Sequence, residues 1–151
     1  MRRFATIVLV VFLGSLPAAA GDRHERDGGR HGSHAHDADR LEALAEQFAR
    51  DAHRVHERAE RLVHHEDWRE VRALAALHRL DVEAGRFCQR VGRGYLPSAW
   101  DLDRLMRTYR RAEYRIHDLH ANKRVERDFA RVEHTAHKLQ RVYAKRSHAS
   151  D

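Results

Sequence analysis

Glycine and proline are nearly absent from this chain after Ala38, and that absence restricts its fold more than any other feature. Beyond that point helix-breaking residues are confined to Gly85 and the segment Gly92–Pro97. Apolar side chains recur every three or four residues on both sides of that segment, which is the spacing of helices with one buried face. We therefore predict a single all-α domain over residues 38–146, followed by a disordered tail, 147–151.

The first half of this domain predicts two helices. Asp39, followed three residues later by Glu42, is spaced to cap the first helix, which we expect to end near His64–His65. The second begins near Asp67 and carries an apolar face broad enough to contact more than one neighbour. These two segments form a predicted helical hairpin over about residues 39–91.

The second half repeats the arrangement. Ser98 and Asp101 have the spacing of a capping box for a third helix, and a break near Ala121–Asn122 precedes a fourth. Short connections favour antiparallel neighbours, so the four helices are predicted to form an up-down-up-down bundle.

The two predicted hairpins, 39–91 and 98–146, also align with each other. A shift of 61 residues superimposes them without a gap, so that apolar positions fall on apolar positions. Under that alignment Trp68 and Phe129 should occupy equivalent places at the starts of the second and fourth helices. A duplicated hairpin explains the match, and the alternative is coincidence between two amphipathic hairpins of the same period.

The first twenty residues have the organisation of a cleavable export signal. Arg2 and Arg3 precede an apolar run over residues 4–13, and Ala18-Ala19-Ala20 supplies small side chains for cleavage before Gly21. The apolar run is too short for a permanent membrane helix, and no later stretch is apolar enough to span. We expect a periplasmic or secreted protein with no transmembrane segment after cleavage.

Residues 21–37 contain no large apolar side chain and predict a disordered leader. The leader is rich in histidine, and a flexible chain can wrap imidazoles around zinc, copper or nickel. A solvated linker that binds no metal is the alternative. The leader residues that would bind such a metal are His24, His31, His34 and His36.

A second candidate metal site lies in the predicted bundle. His78 and Asp81 are one turn apart on the broad face of the second helix, while Glu113 and His117 border the inner face of the third. Ionisable side chains in a core must be paired or coordinated. Either His78 and Asp81 form a structural pair, or they form a core metal site opposite Glu113 and His117.

Composition limits the function. The formal charge of +6 includes Arg2 and Arg3, and removing them leaves +4, spread among interleaved arginines and glutamates. That pattern indicates a solvated helix surface with weak attraction to anionic lipid or polysaccharide rather than a nucleic-acid interface. The single cysteine, Cys88, excludes an internal disulfide and leaves a covalent homodimer open.

No catalytic motif or cofactor signature stands out, so we predict a non-enzyme. The expected function is that of an exported binding or envelope-accessory protein, whose partner is a protein or another envelope component. The alternative is a divalent-metal-binding or buffering protein that uses the leader and helix histidines.

Overall fold

The computed structural model describes residues 31–63, 67–119 and 123–147. These ranges contain four helices and no strand, which confirms the predicted all-α class. None of the four combines the length and apolar composition that a membrane span needs. The signal peptide, residues 21–30 of the leader and residues 148–151 of the tail lie outside the described ranges. The helices are α1 (His31–Glu60), α2 (Trp68–Gly92), α3 (Ala99–Ile116) and α4 (Lys123–Ser147).

Two helix starts follow the capping residues that the sequence predicts. The Asp67 side chain accepts a hydrogen bond from the backbone N–H of Arg69 at 2.8 Å at the start of α2. Ser98 and Asp101 form the complete capping box of α3, in which each side chain binds the backbone N–H of the other residue. These side chains satisfy backbone donors that the first helical turn leaves unpaired.

The start of α1 differs from the prediction. The helix begins at His31, so Asp39 lies inside it rather than at its N-cap. Residues 31–38 contain only one helix breaker, Gly32, and extending an existing helix forms one hydrogen bond for each residue fixed. Polar composition therefore did not prevent helix formation over residues 31–38.

Neighbouring helices are antiparallel around the bundle. α1 contacts α2 and α4, α3 contacts α2 and α4, and no contact joins the diagonal pairs of these described helices. Arg58, near the end of α1, forms an ion pair with Asp128 near the start of α4. At the other end of the bundle, the Tyr143 hydroxyl of α4 donates to the Pro97 carbonyl just before α3, at 3.1 Å. These contacts fit the predicted four-helix bundle.

The core lies along the shared axis of the four helices. Each helix contributes a stripe of side chains at helical spacing, and the Tyr109 and Phe129 rings stack with their centroids 5.8 Å apart. The largest fully buried side chains are Leu41, Phe48, Val55, Leu77, Leu80, Phe87, Leu105, Val125, Val132 and Leu139. This packing leaves the polar faces of the helices outward, where the grooves between neighbours form.

The gapless repeat holds for only one pair of helices. At a shift of 61 residues, most core positions of α1 fall on core positions of α3, as Phe48 does on Tyr109. The same shift places the buried Leu77 and Leu80 of α2 on the exposed Lys138 and Arg141 of α4. The prediction that core positions match throughout is therefore wrong.

The equivalence of Trp68 and Phe129 fails for the same reason. Trp68 is the first residue of α2 and is exposed, whereas α4 begins at Lys123 and buries Phe129 in its second turn. A shift of 59 residues, which places Leu80 on Leu139, matches the buried faces of α2 and α4. The two hairpins thus differ by two residues near their turns.

Candidate functional site

Among the described residues, the structure does not bring the side chains of the predicted core metal site together. His78 and His117 are both exposed, and Glu113 instead accepts a hydrogen bond from the Tyr109 hydroxyl at 2.7 Å. His78 follows the buried Leu77 by one residue, and that step of about 100° turns it away from the core. The position of His78 in the core was therefore predicted wrongly.

Asp81 pairs with α1 rather than with His78. The Nδ1 atoms of His53 and His56 lie 3.1 and 3.0 Å from the same carboxylate oxygen, Asp81 Oδ2. A carboxylate only accepts hydrogen bonds, so each ring donates from Nδ1. The hydrogen bond to Asp81 raises the pKa of His53, against a smaller opposing effect of burial. The His78 ring contacts the His56 ring, with centroids 4.9 Å apart.

The leader histidines remain a prediction. His24 lies outside the described residues, His31 and His34 lie in the first turns of α1, and His36 is exposed. Over residues 31–63, 67–119 and 123–147, no group of three or more histidine, cysteine, aspartate or glutamate side chains is arranged to hold a metal ion. Binding of zinc, copper or nickel by the leader is untested by this fold.

Cys88 is half-buried against the core. Burial raises the pKa of its thiol, which disfavours the reactive thiolate. Burial also raises the pKa of Tyr109, with a further contribution from its hydrogen bond to Glu113. Neither group has the lowered pKa that activates a nucleophile.

A groove of about 450 Å³ between α2 and α3 brings together several side chains of the same charge. We call it the arginine groove. Five arginines and a single carboxylate line it. The charged residues are Arg79, Glu83 and Arg86 from α2, and Arg104, Arg107 and Arg111 from α3, with His78 at one edge.

Helical spacing explains why these arginines share one groove. Arg79 and Arg86 are seven residues apart on α2, and Arg104, Arg107 and Arg111 are separated by three and four residues on α3. Residues three, four or seven apart lie along one face of a helix. Both faces flank the buried stripes, so packing α2 against α3 brings the two rows of guanidinium groups to opposite sides of the groove.

The carboxylates of this region neutralise only part of the groove's charge. Glu83 accepts hydrogen bonds from Arg86 at 3.0 Å and Arg104 at 2.7 Å. Arg107 pairs with Asp103 at 2.5 Å. Arg79 and Arg111 are exposed and form no ion pair with any residue that the structure describes. The groove therefore retains an excess of positive charge that an anion can neutralise.

A second basic groove lies between α1 and α4 but has a different construction. All four of its basic side chains come from α4. The α1 side contributes the exposed Gln47 and the buried Asp51. Asp51 accepts a hydrogen bond from Gln47 at 2.8 Å. An anion in this groove would meet cations on one side and a carboxylate on the other. The basic residues are Arg127, Arg131, His134 and Lys138.

The groove arginines were not among the residues singled out from the sequence. Interleaved arginine and glutamate along a helix is typical of a solvated face. That general pattern concealed the local excess of arginine over glutamate between α2 and α3. The available signal was the helical spacing of arginine beside the apolar stripe on two helices consecutive in the chain.

Comparisons with known proteins add no relative. Searches against protein-family models, curated proteins and solved structures find no significant match.

Proposed function

We propose that this chain is an exported, non-enzymatic binding protein and that the arginine groove holds anionic groups of an envelope component. The single observation that supports this proposal most is the pair of facing arginine rows, five guanidinium groups against one carboxylate. Export is the expectation from residues 1–20, and it makes phosphate, sulfate or carboxylate groups of the cell envelope the relevant ligands.

The chemistry of arginine suits this role. A guanidinium group presents several donors in a fixed plane and binds phosphate or carboxylate oxygens in pairs. Arg79 lies on α2 and Arg111 on α3, so an anion between them receives donors from both sides of the groove. The His78 ring at the edge adds a further donor. Its contact with His56 links the groove to Asp81 and the two histidines that bind it, His53 and His56, which we call the Asp81 cluster.

Arg79 and Arg111, the two groove arginines that pair with no carboxylate among the described residues, provide the sharpest test. The double variant Arg79→Gln/Arg111→Gln replaces two exposed side chains, so the fold should be retained. We expect the affinity for inorganic triphosphate, measured by calorimetry at low salt, to fall by about tenfold or more, since each arginine contact contributes on the order of 1 kcal/mol. Raising the salt concentration should weaken binding by the parent protein because the contacts are screened.

A matched control separates the groove from overall charge. Arg61→Gln/Arg141→Gln removes the same charge from exposed positions on α4 and just beyond α1, away from the groove. At about 0.15 M salt, where the Debye length is about 8 Å, we expect this variant to keep the parent affinity within about twofold because distant exposed charges are screened. Equal losses in the two double variants would show that net charge, not the groove, holds the anion.

A further inference from the structure

The connection between α2 and α3, together with the first turn of α3, carries three exposed large side chains. These side chains are Tyr95, Leu96 and Trp100, which are 67%, 62% and 58% exposed. All three lie within a stretch of six residues. We call them the apolar tip. Single exposed apolar residues are ordinary on a protein surface, but a cluster beside charged residues marks an interaction site.

The tip is held in place rather than being a loose loop. The backbone N–H of Gly94 donates to the Val91 carbonyl at 2.8 Å, and that of Tyr95 donates to the Arg90 carbonyl at 3.1 Å. Between Leu96 and Trp100, the carbonyl of the buried Pro97 accepts the hydrogen bond from Tyr143, and Ser98 caps α3. The exposed side chains are therefore presented by a backbone fixed on both sides, and exposing them is a property of the fold.

The tip is continuous with the arginine groove. The guanidinium carbon of Arg104 lies 5.5 Å from the centroid of the Trp100 ring, and the same side chain lines the groove. Arg93, also exposed, lies in the connection itself. Apolar side chains and arginines thus form one surface that runs from the tip into the groove.

We propose that the apolar tip and the arginine groove together dock the protein on an anionic phospholipid surface. This inference rests on the proposed function, because the groove arginines would bind the lipid phosphates. Tryptophan and tyrosine favour the boundary between headgroups and acyl chains, and each arginine near an anionic membrane strengthens binding. A soluble polyanion would use the arginines but would leave the tip in water. A lipid surface uses both.

The chain contains two tryptophans, and they form a matched pair of reporters. Trp68 is 59% exposed, close to the exposure of Trp100, and also has arginine side chains over its ring. It begins α2, whereas Trp100 follows the end of α2, so the rings lie at opposite ends of a helix of 25 residues. In Trp68→Phe, Trp100 is the only tryptophan, and in Trp100→Phe only Trp68 remains.

The experiment adds vesicles of equimolar phosphatidylglycerol and phosphatidylcholine to each single-tryptophan variant. We expect the fluorescence of Trp100 to shift to shorter wavelength as the ring leaves water, and that of Trp68 to stay unchanged. Vesicles of phosphatidylcholine alone should shift neither. A shift of Trp68 alone, or of neither ring, would overturn the proposal.

A second variant separates this inference from the proposed function. Leu96→Ser/Trp100→Ser removes two of the three tip side chains, and we expect it to weaken vesicle binding by at least about tenfold while leaving triphosphate affinity unchanged. Arg79→Gln/Arg111→Gln should weaken both. A parent protein that binds triphosphate but not anionic vesicles would overturn the membrane proposal and leave the anion groove standing. Unchanged helicity by circular dichroism would show that each variant retains its fold.

Discussion

At the scale of single residues, Asp81 connects two helices through one oxygen atom. It accepts hydrogen bonds from His53 and His56 of α1, and His56 contacts His78 at the edge of the arginine groove. The sequence indicated that Asp81 needed a partner, because an unpaired carboxylate beside a core is costly. It could not identify the partner, since that depends on the rotation of α1 against α2.

The Asp81 cluster predicts a dependence of stability on pH. The folded-state pKa of His53 is raised, so the protonated ring stabilises the fold below the ordinary value near 6.5, and this contribution is lost as pH rises through the folded pKa. We expect Asp81→Asn to lower the pKa of His53 toward the ordinary value. Because His53 is well exposed, the associated loss of stability should stay below about 1 kcal/mol.

Nuclear magnetic resonance titration of the His53 ring measures this effect directly. Asp103→Asn is the matched control, since Asp103 is an exposed aspartate that pairs with Arg107 rather than with a histidine. Glu57 lies 3.6 Å from the other ring nitrogen of His53 and stays in place in both variants. An identical His53 titration in the parent protein and Asp81→Asn would contradict the assigned hydrogen bond.

At the scale of elements, local chemistry determined some helix boundaries and not others. Asp67 and Ser98 cap α2 and α3 as the sequence predicts, because a capping side chain acts on its own first turn. The start of α1 could not be predicted in this way. Asp39 has the composition of a cap, but nothing before it stops the helix, which extends to His31.

Two exposed glycines should respond to alanine with opposite signs. Gly85 lies inside α2 and Gly94 in the following connection, and an added Cβ would meet no atom within 4 Å at either position. Gly94 has a φ of 76°, a conformation that costs an L-residue roughly 1 kcal/mol, whereas Gly85 is helical. We expect Gly94→Ala to destabilise the fold by about 1 kcal/mol and Gly85→Ala to stabilise it by about 0.5–1 kcal/mol.

Chemical denaturation of the two variants provides the measurement. Since neither substitution creates a contact, each serves as the control for the other. If the free energy of unfolding changed in the same direction in both variants, backbone conformation would not be what decides the effect of alanine at these positions.

At the scale of the whole molecule, the all-α class and the four helices followed from periodicity, but the candidate site did not. Periodicity shows which face of each helix is buried, which is enough to assemble a bundle. The arginine groove requires knowing that the flanks of α2 and α3 face each other. The gapless repeat was predicted wrongly for a similar reason. A difference of two residues near a turn changes which residues of the following helix face the core, but it leaves the spacing between its apolar residues unchanged.

The central claim is that the arginine groove is the anion site of this bundle. Chemical-shift mapping by nuclear magnetic resonance, with inorganic triphosphate added to the isotope-labelled parent protein, tests it most directly. We expect the largest chemical-shift changes at α2 and α3 residues that line the groove, including Arg79 and Arg111. Largest shifts at Arg127 and Arg131, in the groove between α1 and α4, or shifts spread evenly over all surface arginines, would contradict it.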